Sequence, residues 1–105
     1  MKKLLLILAL LSADSFAAAK NFCDEVKRIR VWANGSDTYG VWAELKNNPS
    51  QCPGGFYLNH NATNKQFIYS LILAAKASNQ RICFQVYDVN SKIENRCRIH
   101  YTMHE

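Results

Sequence analysis

Apolar and polar positions along this chain repeat with a period of two, then of about 3.6, then of two again. Residues 26–33 alternate, with Ile29, Val31 and Ala33 on one side and Arg28, Arg30 and Trp32 on the other. That spacing marks a half-buried strand, because successive side chains point to opposite faces. Residues 38–46 repeat it and set Tyr39, Val41, Ala43 and Leu45 against Trp42 and Glu44. Between the two runs, Asn34 and Gly35 both tolerate positive φ, so a hairpin is expected. Phe56-Tyr57-Leu58 reads as a short third strand. Residues 81–89 then alternate Ile82, Phe84 and Val86 with Cys83, Gln85 and Tyr87. Residues 96–103 place Cys97, Ile99, Tyr101 and Met103 on one side and Arg98, His100 and Thr102 on the other.

The helical period falls in residues 61–79. Phe67, Ile68, Leu71, Ile72, Ala74 and Ala75 recur there at three- and four-residue steps, which predicts a helix with one core-facing stripe. Thr63 and Gln66 have the spacing of a capping box. Asn79 suits the left-handed residue that ends a helix. Residues 46–55, KNNPSQCPGG, hold both prolines and two of the four glycines, so they form a loop anchored by Cys52. A second loop spans residues 88–95. The expected fold is β with one helix, an α+β class, in the order β-β-β-α-β-β.

Residues 1–19 read as an address. Lys2 and Lys3 precede an apolar run at 4–11 too short to span a bilayer, and Ala17-Ala18-Ala19 offers small residues for signal peptidase before Lys20. The form is that of a bacterial signal peptide without a lipobox cysteine. Residues 20–105 are then expected as one exported domain, periplasmic or secreted. No later segment is long and apolar enough for membrane insertion.

Four cysteines lie in that domain: Cys23, Cys52, Cys83 and Cys97. An even number in a small exported chain reads as two disulfides, and no C-x-x-C pair suggests zinc. Three connectivities are possible. In the simplest register of the last two strands Cys83 and Cys97 do not face each other, so Cys23 with Cys83 and Cys52 with Cys97 is the pairing expected. Each bridge would close a long loop, worth about 4 kcal/mol in the chain-entropy model.

A five-stranded chain with its helix between strands three and four resembles the OB-fold barrel. In layout it is most similar to the cholera-type binding (B) subunits of bacterial toxins that set one A chain on five B chains; the subtilase- and pertussis-type B subunits share that fold. The resemblance lies in the signal peptide, the early Cys23, the helix in the second half, and Cys83 in the strand that follows it. Cys52 and Cys97 have no counterpart in that pattern. It implies a small five-stranded OB-like barrel, glycan binding at a cell surface, and a homopentamer (a homo-oligomeric ring) with an A-type partner chain.

The net charge is +5, from 13 Lys and Arg against 8 Asp and Glu. The cations are scattered as Lys27-Arg28-Arg30, Lys65, Lys76, Arg81, Lys92 and Arg96-Arg98, whereas a nucleic-acid protein usually concentrates them in a stripe. No nucleic-acid partner is therefore expected. Catalysis has little to rest on. His60 and His100 could serve as a base and acid pair, and His100, His104 and Glu105 could be read as metal ligands, but only residue type supports either. No metal, no cofactor and no enzymatic activity are expected. Trp32 and Trp42 fall on the polar side of the first hairpin beside Arg30 and Glu44, where aromatic rings suit sugar stacking or a protein contact. Ser36 and Asp37 in the adjoining turn add hydrogen-bonding groups. The expected ligand-binding set is Trp32, Trp42, Arg30, Ser36 and Asp37, with a glycan or protein as the ligand. The second reading is a monomeric inhibitor of an enzyme, acting through the disulfide-tied loop at 47–55.

Overall fold

The computed structural model describes residues 20–33 and 39–105. The leader reading of residues 1–19 and the Asn34-Gly35 turn lie outside the described residues. Those described contain β1 (Lys20–Val31), β2 (Tyr39–Leu45), β3 (Gly55–Asn59), α1 (Lys65–Ser78), β4 (Arg81–Val86), β5 (Lys92–Ile93) and β6 (Arg96–His104). The result is a small, mostly antiparallel sheet structure with one helix and two disulfides.

β1 begins at Lys20, earlier than the alternating run suggests, and serves two neighbours in turn. Its first half pairs with β4, from Lys20↔Val86 to Glu25↔Arg81. Its second half pairs with β2, from Val26↔Leu45 to Val31↔Val41. The register shifts between Val26 and Arg28, and a bulge of this kind bends a strand and strengthens its twist. Strand neighbours run β3-β2-β1-β4-β6-β5, and β3 also pairs with β6. That last pairing is parallel and sets Gly55, Phe56 and Tyr57 against Arg96, Cys97 and Arg98. β1, β2, β3, β4 and β6 therefore each have a strand on both sides.

The sixth strand is the two-residue β5, inside the stretch expected to be loop. Glu94 and Asn95 have φ of 50° and 65°, the pair of left-handed residues that closes a two-residue hairpin. Lys92 and Ile93 thereby fold back onto Cys97 and Arg96.

α1 buries Ile72 and Ala75 against the sheet, with Ile68 and Leu71 packed beside them. Phe67 and Ala74 do not join that stripe, and Phe67 is 74% exposed. Each lies about 100° round the helix from a residue of that stripe, and the covered face is too narrow to include both. The cap also differs from the capping-box reading. Asn64 holds the N-cap position and its side chain makes no capping hydrogen bond. Two turns bring the chain in instead: Ala62 N donates to Asn59 O at 3.0 Å and Lys65 N to Ala62 O at 3.2 Å. At the other end Asn79 is left-handed, with φ of 55°. Gln80 N donates back to Ala75 O at 3.0 Å, which satisfies a carbonyl the helix leaves open.

The core comprises Val26, Ala43, Leu45, Phe56, Leu58, Ile82, Phe84, Val86 and Ile99 with the two helical residues. Phe56 and Phe84 are fully buried with ring centroids 4.8 Å apart. Each such side chain contributes about 1.5–3 kcal/mol by leaving water. Tyr101 and Met103 were expected beside Cys97 and Ile99, but they are 39% and 42% exposed. A bulge explains this: Val86 faces Ile99, whereas Gln85 faces Tyr101, so β6 carries one extra residue. Beyond it Thr102 and His104 lie opposite Phe84 and Ile82. A one-residue slip exchanges the two faces of a strand.

Disulfides join Cys23 to Cys83 and Cys52 to Cys97, as expected from the strand register. The first links directly paired positions of β1 and β4. The second ties the 46–54 loop to β6 across a sequence separation of 45. Replacing both Cys52 and Cys97 by Ala should cost about 2–5 kcal/mol of stability, read from the urea midpoint. Gly55 has φ of +101°, and a Cβ there would sit 2.7 Å from the Ala43 carbonyl oxygen. Gly55→Ala is accordingly expected to lose more than about 1 kcal/mol in the same assay.

Candidate functional site

The outward faces of β1, β2, β3 and β6 carry the sequence-predicted aromatic and cationic residues. Cross-strand neighbours share a face, and the registers line up Arg30↔Trp42, Trp42↔Tyr57 and Tyr57↔Arg98 as one row. Trp32 continues β1 past that row, with its N–H donating to Gly40 O at 3.1 Å. The indole rings of Trp32 and Trp42 lie 4.5 Å apart. The Arg30 guanidinium sits 5.8 Å from one ring centroid and 5.6 Å from the other. Arg96, one residue before Cys97, covers Trp42 at 3.1 Å.

These contacts separate the two tryptophans. Trp42 is only 7% exposed, under Arg96, Arg30 and Trp32, so its ring offers no open face for stacking. Trp32 is half-buried and Arg30 is exposed. Glu44 does not contact Arg30 as an ion pair but holds Arg28 at 3.3 Å. Ser36 and Asp37 lie outside the described residues.

Trp32 forms one wall of a hollow of about 340 Å³ between the β1–β2 end of the sheet and the start of α1. Val41 and Leu58 make it apolar, and His60, Lys65 and Tyr69 add polar groups. The His60 Nδ1 atom is buried and has no hydrogen-bond partner among the described residues. Lys65 is held at the rim, its Nζ donating to His60 O at 2.9 Å.

A second hollow, of about 350 Å³, shares Asn59 at the end of β3 with the first and is lined further by Asn61, Asn64, Tyr87, Arg98 and His100. His100 Nδ1 lies 2.8 Å from Gln85 Oε1, and its ring packs 4.4 Å from that of Tyr87. His60 and His100 thus line different hollows. His104 turns toward α1, its Nε2 donating to Leu71 O at 3.2 Å, while Glu105 pairs with Arg81. Glu105 also falls near the sulfurs of Cys23 and Cys83, but these are bonded to each other and supply no thiolate.

The 46–54 loop is pinned along its length. Asn47 N donates to Asp24 Oδ2 at 2.9 Å, Leu45 N to Asn48 Oδ1 at 2.9 Å, and Gly54 N to Asn95 O at 2.8 Å. Ser50, Gln51 and Pro53 project between these anchors.

From the sequence Tyr69 reads only as part of the helix and Lys65 as one of the scattered cations, as do Arg96 and Arg98 on the last strand. Their alternation about Cys97 was visible, but the parallel β3–β6 pairing that brings them to Trp42 and Tyr57 was not. Comparison with known protein families, characterised proteins and solved structures returned no match.

Tyr57 is 5% exposed, and this burial pushes its phenol above the ordinary value of 10.0, with Arg98 pulling the other way. An unfolded tyrosine therefore ionises first as pH rises. The contribution is intact below about pH 10 and is lost as pH climbs through the raised folded value. Tyr57→Phe should consequently lose less stability than the parent protein between about pH 9 and pH 11, measured by urea unfolding.

Proposed function

We propose that this protein is an exported, non-enzymatic binding module with an OB-like barrel, and that its ligand is a cell-surface glycan. The hollow walled by Trp32 carries the reading. It combines an aromatic wall, an apolar floor of Val41 and Leu58, and converging polar groups on His60, Gln66 and Lys65. Sugar rings present an apolar face and a polar edge, and such a site matches both. The pairing of β3 with β6 supports the barrel, since it joins the two ends of a five-strand circuit. α1 stands between the third and fourth strands of that circuit, and β5 is an addition within one connection. Two disulfides and the leader-like residues 1–19 favour export. Among the described residues no helix is long and apolar enough to cross a membrane.

Assembly into a ring similar to that of the toxin B subunits draws support from α1. Phe67 and Leu73 are exposed on it, and side-by-side packing of helices would cover them. The second reading, an enzyme inhibitor, rests on the pinned and projecting loop at 47–55. All four cysteines are oxidised, and the candidate acid and base histidines line separate hollows, which favours binding over chemistry.

A glycan array followed by titration tests the site. Trp32→Ala should reduce affinity for the preferred glycan by at least about tenfold, and Lys65→Gln, at an exposed position, by a smaller factor. Replacing Pro49, Ser50 and Gln51 should leave binding unchanged. Unaltered glycan affinity in both the Trp32 and Lys65 variants would overturn the assignment.

A further inference from the structure

The fold gathers cations that the sequence scatters. Arg28 and Arg30 on β1, and Arg96 and Arg98 on β6, flank the outward face of β2 and β3. Neighbouring strands lie about 4.8 Å apart, so the row from Arg30 to Arg98 spans roughly 14 Å. The aromatic rings hold the arginines: Arg30 and Arg96 stack on Trp42, and Arg98 lies 4.5 Å from the Tyr87 ring centroid. Stacking occupies the flat face of a guanidinium and leaves its N–H fork free to meet an oxyanion in two parallel hydrogen bonds.

Two glutamates temper this face, and each is committed. Glu44 pairs with Arg28 at 3.3 Å, and Glu94 with Arg96 at 3.9 Å. Arg30 and Arg98 are both exposed and have no carboxylate partner among the described residues. We infer that this face binds an acidic polysaccharide, with Arg30 and Arg98 each donating a bidentate pair to a sulfate or carboxylate group of the polymer. The face does not require the Trp32 hollow to be filled.

Polysaccharide is favoured over nucleic acid by what lies beneath the arginines. Single-stranded nucleic acids gain affinity by stacking bases on open aromatic rings. Trp42 and Tyr57 are covered, and Tyr87 is flanked by Arg98 and His100. The surface therefore offers charge and fork geometry without a row of bare rings.

Heparin is the probe, titrated onto the disulfide-bonded protein at about 0.15 M salt, where non-specific attraction is well screened. Arg30→Gln with Arg98→Gln should weaken binding on the order of tenfold or more. Lys20→Gln with Lys76→Gln removes the same charge elsewhere and should change it less than about twofold. Arg30→Lys with Arg98→Lys keeps the charge but loses the fork, and should fall between the two. Circular dichroism confirms that each variant is folded. Equal losses in the two glutamine pairs would overturn the inference, as would unchanged binding in the arginine pair. Tighter binding of single-stranded DNA than of heparin through the same arginines would overturn it too, in favour of a nucleic-acid face.

Discussion

The parallel pairing of β3 with β6 is the contact on which the remaining structure depends. Without it, β3 and β6 would each present an unpaired edge, and the strand order would end rather than return on itself. Parallel pairing between strands far apart in sequence is costly to close, because a long stretch of chain must be ordered first. Cys52–Cys97 offsets that cost at the point where it arises. Its half-cystine in β6 lies directly opposite Phe56, the fully buried centre of β3. A bridge of this separation is worth about 4 kcal/mol in the chain-entropy model, a large share of the 5–15 kcal/mol that holds a typical domain together.

The rest of the core follows from that closure. Phe56 packs against Phe84 on β4 and Phe22 on β1, at centroid distances of 4.8 and 6.0 Å, so three strands meet around one ring. α1 covers the group with Ile72 and Ala75. Cys23–Cys83 ties β1 to β4 in the part of β1 that β2 does not reach. On the outside, the same closure sets Arg96 over Trp42 and Arg98 beside Tyr57. Core and candidate surface are thus two faces of one set of strand pairs.

Much of this was legible in the residues. The change of period marked the helix, Asn79 marked its end, and the alternation of Ile82, Phe84 and Val86 marked the inward face of β4. What escaped was non-local or irregular. The bulge opposite Gln85 reversed the facing of Tyr101 and Met103, and alternation cannot register one inserted residue. Phe67 carries the same hydrophobic signal as Ile68, yet only the width of the surface beneath α1 decides between them. Trp32 could be singled out as a candidate ring. Its partners His60, Lys65 and Tyr69 could not, because the hollow exists only once α1 has folded back over the β1–β2 end. Trp42 has the pattern of an exposed strand residue and is covered by an arginine from a strand more than fifty residues away.

Closure of the β3–β6 seam is the claim from which the arginine face follows, and native-state amide hydrogen exchange tests it most directly. If the seam is closed, amides of residues 56–58 and 97–99 should be among the slowest in the protein, opening only with global unfolding. Fast exchange along residues 97–99, at the rate of a free edge, would contradict the account. It would leave Arg96 and Arg98 with no fixed place beside Trp42 and Tyr57.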